Sequence, residues 1–283
     1  MSTTVFACID GSAWSPAVCD AAVWSAKRMS APLKFFHALH RDRAPGAVNL
    51  SGSIGLGARE SLLSELAELD AKRNRIAREA GQEMLDAAQA RAKEAGIDSE
   101  SFQRHDGLVE TLSEHEDQIR LLVLGKRGEE ADIASEHIGS HLERVIRALH
   151  RPILITTKEF KAPERIMLAF DGSPTARKGL EMVARSPLFA GLPCHLVMVG
   201  EDNAKSRAEL EPVQKILEDA GFDVPTAIIP GDVESVLSAY QSEQGIDLMI
   251  MGAYGHSRIR HLLIGSTTTA MLRKSTIPVL LLR

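Results

Sequence analysis

The chain is written twice. Val5-Phe-Ala-Cys-Ile-Asp10-Gly11-Ser12 returns as Ile166-Met-Leu-Ala-Phe-Asp171-Gly172-Ser173. Later elements return in the same order: Gly125-Lys-Arg-Gly128 as Gly252-Ala-Tyr-Gly255, and Gly139-Ser140 as Gly265-Ser266. Arg151-Pro152-Ile-Leu-Ile-Thr-Thr157 returns as Ile277-Pro278-Val-Leu-Leu-Leu-Arg283. The copies drift out of register in the middle, so the first carries an insertion there. Whatever unit the chain builds, it builds it twice, and each copy must supply a core of its own.

Short apolar runs alternate with amphipathic stretches within each copy. Strands are expected near 4–10, 33–39, 99–104, 120–125 and 153–157, and helices near 16–30, 59–95, 108–116 and 140–149. In the second copy, strands are expected near 165–171, 193–199, 223–229, 247–252 and 278–282. Its helices are expected near 174–186, 205–220, 232–243 and 266–274. Continuous apolar strands between helices imply a parallel sheet covered on both faces. Right-handed crossovers then give an α/β fold: two doubly wound, Rossmann-like five-stranded sheets of order 3-2-1-4-5. The predicted organisation is an N-terminal domain over 1–157, a charged, Pro-bearing linker over 158–163 and a C-terminal domain over 164–283.

Composition narrows the function. A formal charge of −5 and 4% aromatics argue against nucleic acid as a main partner. No apolar stretch is long enough to span a bilayer, and the first ten residues lack a signal peptide's basic region. Cys8, Cys19 and Cys194 have no metal-ligand spacing and read as reduced core residues, so a cytoplasmic protein is expected.

Gly252 follows the apolar run 246–251 and opens a glycine-punctuated loop that ends in Gly265-Ser266-Thr267 at a predicted helix start. Backbone N–H groups in such a loop, with a helix dipole behind them, favour phosphate. Strands one and four of each unit are neighbours at the switch point of the sheet, where ligands bind. That brings Asp171 and the Gly252 loop to one crevice. Glycines at 252 and 255 let the backbone approach a ligand, and Gly265 is expected to clear space where loop meets helix. Between Gly252 and Ser266 stand Arg258 and Arg260 but no acid, with His256 and His261 beside them. The bland alternative is a set of turn glycines and a helix cap with no ligand.

On these residues the chain resembles a tandem universal stress protein, two such domains in one polypeptide. Nucleotide-binding members of that family carry Gly, two residues, Gly, nine residues, Gly, then Ser or Thr. Gly252, Gly255, Gly265 and Ser266 match that spacing. The resemblance implies ATP as ligand, held in the C-terminal domain by a regulatory protein of stress response with little or no turnover. It places Asp171 on the ribose or adenosine side and the backbone of Val197 and Met198 against adenine. Gly252, Gly255, His256, Gly265, Ser266 and Thr267 would hold ribose and phosphates. It also implies that the last strand of each half meets the other across a pseudo-twofold axis, as an internal pseudo-dimer.

The first copy departs from this pattern. Ten residues rather than nine separate Gly128 from Gly139, His141 follows Ser140, and Glu129, Glu130, Asp132 and Glu136 oppose Lys126 and Arg127. Weak or no ATP binding is expected there. An enzyme remains the competing reading, a slow hydrolase or nucleotide-dependent transferase with Mg²⁺ held by Asp171 and Asp232. Asp232, after Pro230-Gly231, reads more often as a helix cap, and no Walker lysine, Gly-x-Ser-x-Gly elbow or His-x-Gly-His run is present. A nucleotide-free interaction scaffold is the third reading. The insertion supplies a small-residue loop over 41–58 and a long helix of roughly 55 Å, if unbroken at Gly81. Leu62, Leu66, Leu69, Ile76, Ala80 and Met84 lie at helical spacing along it, read as a sheet-packing stripe, with homodimerisation through it left open.

Overall fold

Among the described residues there are ten strands, most of them short runs of branched and aromatic residues buried on both faces, while the two edge strands are more polar or more exposed. The ten are β1 (Thr4–Cys8), β2 (Leu33–Ala38), β3 (Ser99–Arg104), β4 (Ile119–Gly125) and β5 (Ile153–Thr156), then β6 (Ile166–Ala169), β7 (Cys194–Val199), β8 (Thr226–Ile229), β9 (Leu248–Gly252) and β10 (Val279–Leu282). The computed structural model describes residues 4–39, 56–105, 107–128, 140–253 and 265–283.

The strands form one ten-stranded sheet in the order β3-β2-β1-β4-β5-β10-β9-β6-β7-β8. Each half has the expected order, and all its neighbours are parallel. The two five-stranded sheets are fused where β5 meets β10 antiparallel, Ile155 opposite Val279 and Ile153 opposite Leu281. That pairing removes the two apolar edges the halves would otherwise expose. Residues 157–165, between the halves, hold no helix or strand.

Eight helices are described: α1 (Ser15–Met29), α2 (Leu56–Glu94), α3 (Leu108–Glu114), α4 (Ser140–Ala148), α5 (Pro174–Arg185), α6 (Ala204–Asp219), α7 (Val233–Glu243) and α8 (Ser266–Lys274). Alternate strand residues point to opposite faces. Val5, Ala7 and Phe35 pack with α1, α2, α5 and α6 on one face. Phe6 and Phe36 pack with α3, α4, α7 and α8 on the other. The cysteines are free; burial pushes the thiols of Cys19 and Cys194 up to about 12.

Three strand boundaries need correction. β1 and β6 end two residues before Asp10 and Asp171, because Gly11 (φ +75°) and Gly172 (φ +71°) turn the chain away. β8 begins only at Thr226, after Pro225, which has no N–H to donate to a ladder. Helix α2 runs through Gly81 without a break. A Cβ there would stand 2.6 Å from both His37 Cδ2 and Gln103 Nε2, so this glycine permits close approach to β2 and β3. The expected stripe on α2 is only partly a packing face: Ala80 and Met84 are half-buried and Met84 packs against the core, but Leu66, Leu69 and Ile76 are exposed, and the buried face at this end is made by Leu85, Ala88 and Ala92.

Candidate functional site

In the C-terminal half β6 lies beside β9, with Ile166 opposite Leu248 and Leu168 opposite Ile250. Extending that register sets Asp171 level with Ala253, next to Gly252 at the end of β9. Asp171 is exposed, and its Oδ1 accepts from Ser173 N at 3.0 Å, closing a turn over Gly172. Ser173 Oγ in turn accepts from Ala176 N at 3.1 Å and caps α5. The topology therefore brings Asp171 and Gly252 to one crevice, as the strand order requires. Gly255 and His256, with Arg258, Arg260 and His261, lie outside the described residues.

The far wall of the crevice is the start of α8. Its cap residue is Gly265, which has no side chain to satisfy the first-turn N–H groups, and Ser266 and Thr267 are exposed there. Gly265 has φ −54°, open to any residue. A Cβ on it would meet Thr268 Oγ1 at 3.5 Å and Ala253 O at 3.9 Å, ordinary contacts. The expectation that Gly265 clears space between loop and helix is thus not met by its described neighbours. Thr268 is the residue the sequence reading missed. It is buried, and its hydroxyl donates to Ala253 O at 3.2 Å and lies 3.4 Å from Gly252 O. It ties the first turn of α8 to the end of β9 and so sets the spacing of the crevice walls.

Val197 and Met198 lie within the β7 ladder. Val197 O accepts from Phe170 N at 2.9 Å, and Met198 stands opposite Ile228 in the β8 ladder. Both side chains are buried, on opposite faces. The ladder continues through Val199, opposite Ile229, and Gly200 N donates to Ile229 O at 2.9 Å. Asp232 caps α7: its Oδ2 accepts from Ser235 N and Ser235 Oγ, both at 3.0 Å. Those bonds, the backbone one first, hold its carboxyl below its ordinary value. Among the described residues no group of three or more His, Cys, Asp or Glu is placed to hold a metal.

The N-terminal half has the same frame with side chains close against its glycines. Asp10 Oδ1 accepts from Ser12 N at 3.0 Å and from Ser15 Oγ at 3.1 Å. Trp14 packs on Gly125, where a Cβ would lie 2.9 Å from Trp14 Cβ. Met84 of α2 reaches over Gly11, its Cε 2.7 Å from a Cβ placed there. Lys126 leaves this half altogether. Its ammonium donates to Arg273 O at 2.7 Å and Ser275 O at 2.9 Å, at the C-terminal end of α8. The four acids and Gly139 lie outside the described residues.

Known proteins share this architecture. The universal stress protein family matches the chain over residues 1–157 and again over 163–283. Universal stress protein Slr1230 of Synechocystis sp. is 38% identical over 99% of both chains. A crystal structure of a universal stress protein from Archaeoglobus fulgidus is similar in fold, with a TM-score of 0.72, 19% identity, and coverage of 99% of this chain and 98% of its own. So is a protein of unknown function, PA1789, from Pseudomonas aeruginosa, with a TM-score of 0.62, 14% identity, and coverage of 99% and 92%. With both halves matched and one relative similar along its whole length, the chain belongs to the universal stress protein family.

Proposed function

We propose that this protein is a nucleotide-binding regulator of stress response that holds ATP in its C-terminal half with little or no turnover. The observation that carries this reading is the contrast between two crevices built on one frame. At the N-terminal switch point Trp14 stands against Gly125 and Met84 against Gly11, where the equivalent Gly172 has the Glu209 carboxylate beside it instead. At the C-terminal switch point an exposed carboxylate, a strand ending in glycine and a helix capped by glycine face each other. Gly252, Gly255 and Gly265 keep a spacing that suits phosphates, and Arg258 and Arg260 supply charge without an opposing acid. Ser266, Thr267 and the α8 dipole would meet the phosphates, with Asp171 toward the ribose. Adenine would meet the C-terminal end of β7, at or just past Val197 and Met198. Engagement of Asp232 in a helix cap weighs against a metal-dependent hydrolase built on Asp171 and Asp232.

A regulator of this kind works through linkage: ATP stabilises the conformation that closes on it and shifts the population seen by a protein partner. Mass spectrometry of small molecules released from the purified protein, followed by calorimetric titration with ATP, tests the reading. ATP should bind to one site per chain. Gly255→Glu should abolish binding by placing bulk and negative charge in the loop, and Asp171→Ala should weaken it about tenfold. Unchanged affinity in Gly255→Glu sinks the site assignment. Multiple-turnover release of ADP, lost in Asp171→Ala, replaces the regulator with a hydrolase.

A further inference from the structure

The two halves enclose a cavity of about 300 Å³ that shares no residue with the nucleotide crevice. Its floor is Leu121 of β4 and Leu280 of β10, on either side of β5. Met29, the last residue of α1, lines it from the first half, and Met182 of α5 with Phe189 beyond it from the second. Leu121, Leu280 and Phe189 are buried, whereas Met182 is 37% exposed and stands at the mouth. A concave, apolar space of this size is at the small end of ligand pockets.

Two charged side chains line it, Arg120 and Arg185, and among the described residues no acid does. Arg120 Nη1 donates to Met29 O at 3.4 Å. Arg185 is exposed and pairs with no acid among the described residues. Each guanidinium carries five donors in a planar fork, so both keep donors for a planar anion. Ser186 Oγ accepts from Leu188 N at 3.3 Å, which leaves its own proton to donate. The C-terminal ends of α1 and α5 also reach the cavity, and each brings about half a negative charge. Two full positive charges against two halves leave about one positive charge. A neutral hydrocarbon would leave that charge unanswered, and a polyphosphate would exceed it and face apolar walls.

We propose that this cavity binds a medium-chain fatty acid, its carboxylate taken by Arg120 and Arg185 and its chain lying against Leu121, Leu280 and Phe189. Volume sets the length. With a methylene about as bulky as a water molecule, at roughly 30 Å³ each, about ten chain carbons fill the space. The ligand touches both halves at once, so it stabilises the folded chain by linkage and does so whether or not ATP is bound.

Calorimetric titration of the full chain with hexanoate, octanoate, decanoate and dodecanoate, each below its micelle concentration, tests this. One molecule should bind per chain. Each added methylene should tighten binding about threefold to fourfold until the chain reaches about ten carbons, and longer chains should gain nothing more. Decanol and decylamine should bind at least about tenfold more weakly than decanoate. Arg185→Glu should weaken decanoate by about tenfold or more, and Arg185→Lys should keep most of the affinity. Arg185 is exposed, so the ligand-free thermal melt of Arg185→Glu should match the wild type. Added decanoate should then raise the melting temperature of the wild type and not of the variant. No binding of decanoate, decanol binding as tightly as decanoate, or full affinity in Arg185→Glu overturns the proposal. So does uptake of several molecules per chain with affinity still rising at dodecanoate, which is adsorption to the surface.

Discussion

At the scale of single residues, the site depends on groups that the linear pattern does not single out. Asp171, Gly252 and Gly265 are legible because their neighbours form a spaced motif. Thr268 is not, because the pattern stops at Thr267 and three successive threonines look alike in sequence. Only the helical turn decides that Thr268, not Thr267 or Thr269, faces back onto Gly252 and Ala253. Thr268→Val keeps the shape and removes the hydroxyl, leaving Ala253 O without its side-chain donor. The loss should be about 1 kcal/mol of stability, read from the urea midpoint. Because α8 is then less firmly tied to β9, ATP affinity should fall several-fold as well. Loss of stability with unchanged affinity would make Thr268 a core residue only. Val197 and Met198 read in sequence only as core strand residues, and only the ladder reveals that Val197 O already accepts from Phe170 N.

At the scale of elements, most boundaries were legible because buried parallel strands are short apolar runs with glycine or proline at their ends. The errors come where tertiary contact overrides local preference. Gly81 reads as a break because glycine disfavours helix by about 1 kcal/mol relative to alanine. In the structure it is the point where α2 comes down onto the sheet. Gly81→Ala therefore sets two effects against each other. Helix propensity gains about 1 kcal/mol, while the new Cβ meets His37 and Gln103 at 2.6 Å. Gln103 can swing aside. His37 is buried and its Nδ1 lies 2.6 Å from Ile9 O, so its ring is held. The helix must lift, and Leu85, Ala88 and Ala92 lose contact, an overpacking cost of about 1–3 kcal/mol. Net destabilisation is expected, seen as a lower melting temperature. A raised one would mean that α2 rests on the sheet more loosely than its buried residues imply.

At the scale of the whole molecule, the duplication is resolved into one sheet, and the two halves hold each other by groups far apart in sequence. Lys126 reaches the end of α8, while Arg283 Nε donates to Leu149 O at 2.8 Å, just past α4. Arg28 Nε donates to Leu188 O at 3.0 Å, and Trp24 packs on Phe160 and Phe189 with ring centres 5.7 and 6.4 Å away. None of this was legible in the chain, because Lys126 reads as part of a faded phosphate loop until its partners in the other half are seen. The consequence is thermodynamic: the halves should unfold together. Both tryptophans, Trp14 and Trp24, belong to the first half, so fluorescence follows that half and the junction, whereas far-ultraviolet circular dichroism follows both halves. The two urea transitions should coincide in the wild type. Lys126→Ala should lower both midpoints together, by about 1 kcal/mol for a partly exposed charge-assisted bond. Ile155→Pro should do something different in kind. It removes an N–H and a buried core side chain from β5 where that strand meets Val279 of β10, so the antiparallel seam opens and the packing shared across it is lost. The transitions should then separate. If they are already separate in the wild type, the shared sheet does not couple the halves, and a nucleotide bound to one cannot act through the other.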